Sequence, residues 1–542
     1  MTVHYAVDQL TVRDGRFFGW GWLLHESIPA RRVELRVTLD DRVAVVECLR
    51  AGPRPDLAAA FPNVAHAAGC GFLLVGRVDG LPPRAPATLV AHLEDGSKVE
   101  RQLPDFPARY VVSTALATRV RARLVSLVRH VRDDGVVTTI RAMADRLEGV
   151  AKRVQRWLAT GLSRVRPARP IVVFDHAMGG GANRFRDERI ADYRAAGRDV
   201  CLVTPSLARL SYHVLEWTSV GERCREVATL FQALEHLESY GACDVVLNDL
   251  VSFSEPLTVV DWALRQKAKG GRLSFFLHDY FAACPSWTLV DDRGRYCGIP
   301  EMERCAQCLA HNRVPFLTFY GEISLPQWRA AWSALLGVCD DLVAFSVASA
   351  DILVKAFPEL PREGIRIEPH RMDYLPSGLR ARPALTKPLT VGIVGHISEH
   401  KGAALVLALV DEVRRTGAPL RFKVFGTLEG TAPPGLLDVL GRYDAADLPA
   451  LMERHGVGIC LLPSICPETF SYVTSELIHF GMPLAVFDLG APAERTRGYA
   501  LGRVLESMEP AHVVAELLEF GDSMRTRLSL PVPPHSSSYC PQ

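Results

Sequence analysis

Residues 462–495 read LPSICPETFSYVTSELIHFGMPLAVFDLGAPAER. A buried run ends at their start, a short Pro- and Ser-containing loop follows, and a helical span begins near position 470. Gly481-Met482-Pro483 stops that helix before a second buried run, LAVFD (484–488). Strand, loop, helix, turn and strand make a βα unit, and runs this uniformly apolar belong to a sheet covered on both faces. Glu468 and Glu476 stand eight positions apart, near two helical turns, so both can face one cleft if the helix starts near 470. Carboxylates accept hydroxyl hydrogen bonds in pairs, which suits a ribose diol or a sugar ring. Phe470 and Tyr472 add apolar walls. Taken as spacing alone, two glutamates on a helix also fit a solvated face.

Outward from this segment the same alternation continues. LTVGIVG (389–395), LRFKVFG (420–426) and VGICLLPS (457–464) precede it as strand-like runs. An earlier set comprises IVVF (171–174), VCLVT (200–204), DVVLND (244–249), RLSFFLHD (272–279) and DLVAFS (341–346), with helical stretches between. Two sets of buried strands with crossover helices mean two doubly wound, Rossmann-like α/β lobes, 170–375 and 376–530, joined near 371–388. Ligands of such sheets sit outside the carboxyl ends of the strands. There, His396, His400, Lys401 and Gly402 lead into the helical run GAALVLALVDEVRR. A lysine and free amides at a helix N-terminus suit a diphosphate, although a solvated first turn has the same pattern. In the first lobe, VVFDHAMGGGANRF puts Gly179, Gly180 and Gly181 in a βα turn where backbone amides can approach a phosphate or sugar.

The N-terminal region differs. Residues 1–108 carry short, evenly spaced, partly alternating runs and no helical period, which predicts an all-β, sandwich-like module. Its aromatic cluster Phe17, Phe18, Trp20 and Trp22 is read as core and sheet-face packing ahead of a sugar-stacking platform. Residues 109–169 place apolar side chains at helical spacing (Leu116, Val120, Leu124, Leu127; Ile140, Met143, Leu147, Val150) among many arginines. This is a basic amphipathic helical connector, docked on its neighbours or touching an anionic membrane peripherally. The tail 531–542 is expected to be disordered.

Composition narrows the class. The 542 residues carry a net charge of +1, which removes a global argument for a nucleic-acid partner. No apolar run is long enough to span a bilayer, and the N-terminus lacks the basic and apolar regions of a secretory signal. Thirteen cysteines, several within strand-like runs, suit a reducing cytoplasm. A cytoplasmic protein is expected, with any membrane contact peripheral at the inner face.

Segment 389–500 resembles the C-terminal lobe of the retaining GT-B glycosyltransferases of glycosyltransferase family four. The resemblance rests on the strands ending in Gly395 and Gly426, on Lys401-Gly402, Gly441-Arg442-Tyr443 and the Glu-x7-Glu motif of Glu468 and Glu476, and on Gly481-Met482-Pro483 before Phe487-Asp488. It implies a GT-B fold and a nucleotide-sugar donor. Lys401 would bind the donor diphosphate, Glu468 the donor sugar and Glu476 the ribose, with Gly402, Phe470 and the Gly180–Gly181 loop completing the donor site. Glu468 and His278, the latter at the end of FFLHDY, would flank the reacting carbon. A structural histidine capping its strand is the other reading of His278. The departing phosphate oxygen would take the acceptor proton, with no metal needed for the chemistry. One position departs from the family: His396 stands where an arginine usually helps neutralise the diphosphate, and a neutral histidine brings no fixed charge.

Cys284, Cys297, Cys305 and Cys308 form a cysteine-rich insertion, 284–308. Cys305-x2-Cys308 has zinc-knuckle spacing and Cys284-x12-Cys297 does not, so structural zinc stands beside free buried thiols. Some bacterial polysaccharide glycosyltransferases carry a similar segment. The expected function is sugar transfer from a nucleotide sugar to a surface-glycan or lipid-linked acceptor. A non-catalytic sugar-nucleotide-binding protein, and another GT-B reaction such as a phosphorylase or epimerase, remain as alternatives.

Overall fold

The computed structural model describes residues 2–51, 54–104, 106–110, 169–219, 221–312, 314, 316–430 and 435–529. The expected basic connector, apart from its first and last residues, and the expected disordered tail lie outside the described residues.

Seven antiparallel strands make the N-terminal module: β1 (Val3–Arg13), β2 (Arg16–His25), β3 (Ala30–Thr38), β4 (Val43–Arg50), β5 (Gly71–Arg77), β6 (Ala87–Leu93) and β7 (Lys98–Leu103). Their order is β1-β2-β5-β4-β3-β6-β7, with one short helix, α1 (Pro55–Ala60), between β4 and β5. β4 is the corner: it pairs with β3 from Val43 to Cys48 but with β5 only at Leu49 and Arg50. Both halves share one core around Phe17, Leu35, Val37, Phe72, Leu89 and Phe106. The aromatic run alternates as a strand must. Phe17 is fully buried in this core, while Phe18 packs outward onto the core of the next domain together with Leu49 and Leu73.

The first lobe runs through β8 (Ile171–Phe174), α2 (Gly181–Ala195), β9 (Val200–Ser206), β10 (Ser211–Thr218), β11 (Gly221–Val227), α3 (Leu230–Glu238), β12 (Asp244–Leu247), α4 (Pro256–Ala268), β13 (Leu273–Leu277), α5 (Met302–His311), α6 (Leu325–Leu336), β14 (Asp341–Ala344), α7 (Val347–Ala356) and β15 (Ile365–Ile367). Strand order is β11-β10-β9-β8-β12-β13-β14-β15. All strands run in one direction except β10, which is antiparallel to both β9 and the edge strand β11.

The second lobe follows the same logic: β16 (Leu389–Ile397), α8 (Ala403–Thr416), β17 (Leu420–Leu428), β18 (Leu437–Val439), α9 (Leu448–Arg454), β19 (Ile459–Leu462), α10 (Tyr472–Phe480), β20 (Leu484–Phe487), α11 (Gly490–Arg497), β21 (Gly502–Leu505) and α12 (Pro510–Ser529). Its order, β18-β17-β16-β19-β20-β21, is parallel throughout. Val391, Ile393 and Val424 are fully buried, as strands covered on both faces require. α8 buries Ala403, Val406, Leu409, Val410 and Val413, one face of an amphipathic helix. The chain thus holds two doubly wound lobes. Each sheet reverses its direction of winding next to its first strand, between β8 and β12 and between β16 and β19, where such folds bind ligands. Among the described residues no helix is long and apolar enough to cross a membrane.

Candidate active site

The second-lobe switch point gathers most of the expected residues. β16 ends beside His396, and a 3-10 turn, Glu399–Lys401, leads into α8. Gly402 sits there at φ 87°, and a Cβ on it would lie 2.0 Å from the Pro463 carbonyl oxygen. Only glycine allows that approach. It brings the β19 loop onto the start of α8, where the Ile465 amide donates to the His400 carbonyl at 3.2 Å. Lys401 Nζ then lies 3.1 Å from Glu468 Oε2. The lysine side chain is 37% exposed and the glutamate 10%. Burial pushes the Glu468 pKa up, but the Lys401 charge and contact, helped by the nearby Ser464 and Ser471 hydroxyls, outweigh it and hold the carboxyl below its ordinary value. Its second oxygen, Oε1, is buried with no hydrogen-bond partner.

Glu468 and Glu476 do not share a helix. α10 begins only at Tyr472, and Ser471 precedes it with φ 68°, its hydroxyl accepting the Thr474 amide. The eight-residue spacing therefore spans a loop, a sharp turn and one helical turn, and the loop rather than a helical face aims Glu468. Glu476, 6% exposed, accepts a hydrogen bond from the Tyr374 hydroxyl. Burial raises its pKa, with the Tyr374 bond and the Arg184 charge opposing.

His396 is 62% exposed. Its Nδ1 lies 2.5 Å from Thr427 Oγ1, and burial, Lys401 and Arg442 lower its pKa, so it is neutral at pH 7. Arg442 is exposed beside it. It belongs to the Gly441-Arg442-Tyr443 motif, from which no role follows by residue type alone.

The first lobe meets this site directly. Gly180 caps α2 at φ 90°, and a Cβ on Gly181 would fall 2.7 Å from the Tyr472 ring. Arg184, on the first turn of α2, stacks over Tyr374 at 3.6 Å from the ring centre. His278 lies at the seam: its carbonyl accepts the Thr469 hydroxyl at 2.7 Å, one residue from Glu468. Its Nε2 lies 3.0 Å from Asn248 Oδ1. Asn248 spends its amide donors on Asp175 Oδ1 and the Ala182 carbonyl, so its oxygen accepts and His278 Nε2 carries the proton. Nδ1 is then the unprotonated nitrogen. Burial holds the His278 pKa well below its ordinary value, with His370 and His176 adding to this.

Several site residues escaped the sequence reading. Among them, His370, Phe345 and Phe185 stack around His278 and the seam together with Phe470 and Tyr472, which the sequence had already marked. Arg495 lies 3.7 Å over the Phe470 ring, with one guanidinium nitrogen buried and unpartnered. A polar cluster sits at the carboxyl ends of β8, β12 and β13. Within it, His176 Nε2 is 3.3 Å from Asp249, and Asp175 holds Asn183 at 2.6 Å, Arg186 at 2.9 Å and Asn248 at 3.0 Å. A signal for it existed: each of the runs IVVF, DVVL and LSFFL is followed within two residues by aspartate.

Cys284, Cys297, Cys305 and Cys308 are free thiols and line one cavity of about 190 Å³. As the side chains lie, no group of three or more His, Cys, Asp or Glu among the described residues is close enough to hold a metal ion.

No family model matches the chain, and no curated protein does. Solved structures with some likeness include HepE of Anabaena in complex with UDP and glucose, at 16% identity over 66% of this chain and 92% of that one, TM-score 0.38. WaaG, a glycosyltransferase involved in lipopolysaccharide biosynthesis, shares 15% identity over 66% and 92%, TM-score 0.39. The pneumococcal O-GlcNAc transferase GtfA, solved with UDP and GlcNAc, shares 11% over 60% and 64%, TM-score 0.34. Likeness at this level adds nothing to the strand orders above.

Proposed function

We propose that the protein is a GT-B glycosyltransferase that moves a sugar from a nucleotide-sugar donor, with retention, to a surface-glycan or lipid-linked acceptor. The observation that carries this is the Lys401–Glu468 pair at the second-lobe switch point, with Glu468 Oε1 buried and unpartnered. A buried carboxylate oxygen without a donor costs free energy unless a ligand hydroxyl satisfies it. Lys401 and the free amides of α8 stabilise the leaving diphosphate as its charge develops. Glu468 takes a donor-sugar hydroxyl and Glu476 the ribose diol, displacing the Tyr374 hydroxyl. His278 Nδ1 accepts from the acceptor or donor sugar. The leaving phosphate oxygen receives the acceptor proton, and no step calls for a metal. The protein works in the cytoplasm, at the inner membrane face if its acceptor is lipid-linked.

His396 favours a second reading, a protein that binds nucleotide sugar without turnover, because no fixed charge stands at that position. Titration of nucleoside diphosphates and nucleotide sugars against wild type and Glu476→Ala tests the site. The variant is expected to bind about 10–100-fold more weakly, a loss of about 1.4–2.7 kcal/mol. Equal affinities remove Glu476 from the site. Donor hydrolysis by wild type decides between transferase and binding protein.

A further inference from the structure

We propose that Asn248 is a positioning residue: held by Asp175, it fixes His278 in the tautomer with the proton on Nε2, so that Nδ1 offers the donor site a lone pair and never an N–H. The use made of Nδ1 rests on the sugar-transfer reading above; the fixed tautomer does not.

The arrangement starts in the sheet. β8, β12 and β13 are neighbouring parallel strands, with Leu247 paired to Phe174 on one side and to Phe275 on the other. The residue directly after each strand is polar: Asp175, Asn248 and His278. Three apolar strands thus end side by side in three groups that must find partners if they are buried. Asp175 is fully buried and Asn248 is 3% exposed.

Their partners leave one solution. Asp175 Oδ2 accepts from Asn183 at 2.6 Å and from Arg186 at 2.9 Å, while Oδ1 accepts from Asn248 Nδ2 at 3.0 Å. Asn248 Nδ2 also donates to the Ala182 carbonyl at 3.2 Å. The opposite amide orientation would set the Asn248 oxygen against a carboxylate and a carbonyl, neither of which donates. Asn248 Oδ1 therefore faces His278 Nε2, 3.0 Å away, and only a protonated Nε2 satisfies it. A proton on Nδ1 instead would bring two lone pairs face to face. Protonation of both nitrogens is opposed by burial.

Among the described residues Asn248 is the one hydrogen-bond partner of the His278 ring. Phe185, Phe345 and His370, with centroids 5.1, 4.6 and 5.4 Å from it, fix the ring by packing and leave its tautomer to Asn248. The same carboxylate steadies the glycine loop, because Asn183 accepts the Gly179 amide at 2.6 Å. One anchor thus serves both first-lobe parts that meet the second lobe, Gly181 against Tyr472 and the His278 carbonyl against Thr469. An acceptor-only nitrogen also selects by chemistry. A sugar hydroxyl or amide N–H donates to it, whereas a carboxylate or an ionised phosphate oxygen has no hydrogen to give.

The test reads the tautomer directly, by nitrogen NMR of full-length protein isotopically labelled at histidine, with the His278 signals identified by their loss in His278→Gln. Wild type at neutral pH is expected to favour Nε2–H over Nδ1–H by at least about 10-fold, the bias set by a buried hydrogen bond that the alternative leaves unmade. Asn248→Leu and Asn248→Asp both remove the amide, but only aspartate keeps an oxygen at His278. A purely structural Asn248 would make the two variants alike. Positioning predicts a protonated Nε2 in Asn248→Asp and a bias reduced at least about 3-fold in Asn248→Leu. Nδ1–H in wild type, an unchanged ratio in folded Asn248→Leu, or loss of the Nε2 proton in Asn248→Asp would each overturn the proposal, and the wild-type ratio decides alone if neither variant folds. The measurement needs no ligand. A failed nucleotide-sugar titration would sink sugar transfer without touching the fixed tautomer, and a wrong tautomer would leave the titration result standing.

Discussion

Lys401 has one carboxylate close by, Glu468, and that carboxylate has one oxygen to spare. Lys401→Met would leave a nearly buried, unpaired charge. Breaking a fully buried pair costs about 3–5 kcal/mol, and the lysine's 37% exposure brings the expected loss down to about 1–3 kcal/mol. The pH dependence has a definite sign. The Glu468 pKa is lowered on folding, so its contribution is full above the ordinary carboxylate value and is lost as pH falls through the lowered one. The Lys401 pKa is raised, burial opposing and Glu468 prevailing, so its contribution persists until pH rises through the raised value. The stability gap between wild type and Lys401→Met, read by thermal melts, is therefore expected to be flat near neutrality and to close under acid. A gap that widens on acidification would show that Glu468 is not the partner.

At the scale of elements, α8 offers a controlled comparison. Gly402 precedes it and Gly417 follows it, with φ values of 87° and 69°. A Cβ at Gly402 meets a backbone carbonyl at 2.0 Å, while one at Gly417 meets nothing within 4 Å. Gly417→Ala should cost about 1 kcal/mol for its left-handed conformation alone. Gly402→Ala adds overpacking of about 1–3 kcal/mol and shifts the Lys401 turn, so donor affinity should fall with stability. Equal melting temperatures for the two variants would contradict the close approach of the β19 loop. Elements were readable in the sequence to the extent that burial marks them. The central parallel strands stood out because both faces are covered, whereas the short, partly exposed parallel strands β15, β18 and β21 did not. The β10–β11 hairpin did not: β11 is an exposed edge carrying Glu222, Arg223, Arg225 and Glu226, with no apolar period to find. The donor loop was half legible. The turn at Ser471 leaves no trace in residue type, so the spacing passed for helix. Arg184, Tyr374, His370 and Glu494 reach the seam only through docking of the lobes, which periodicity does not encode.

Across the whole molecule the lobes are bound by few but well-placed contacts. Glu494 accepts the amides of Val347 at 3.3 Å and Ala348 at 2.8 Å at the start of α7, and the Ser346 hydroxyl donates to the Thr469 carbonyl at 2.9 Å. Between them lie His278 and His370, both kept neutral by burial, His370 down to about 3. Nearby, burial and Lys401 hold His400 at about 4. A lowered folded pKa contributes stability above the unfolded value of about 6.5 and loses it as pH falls toward the folded one. Each such histidine steepens the loss by up to about 1.4 kcal/mol per pH unit. Stability is thus expected to drop between about pH 6.5 and 4, and His370→Phe should flatten that slope in denaturant titrations at stepped pH. Parallel slopes for the two proteins would remove His370 from the account.

The N-terminal module is fastened to the first lobe in a way that has a temporal side. Thr11 and Gln9 donate to the Ala208 carbonyl, Arg13 reaches Leu210 and Ala228, and Phe18, Leu49 and Leu73 pack into the lobe's core. On the ribosome this face is made first and its seat last, since the loop around Phe319 that also contacts Arg16 is some 300 residues downstream. At about 5–20 residues per second, the nascent module waits about 15–60 s with an apolar face uncovered. Synthesis therefore includes a sticky interval that ends only when the first lobe closes over it, and slow decoding or a missing holdase during that interval would lower yield without touching any residue of the site.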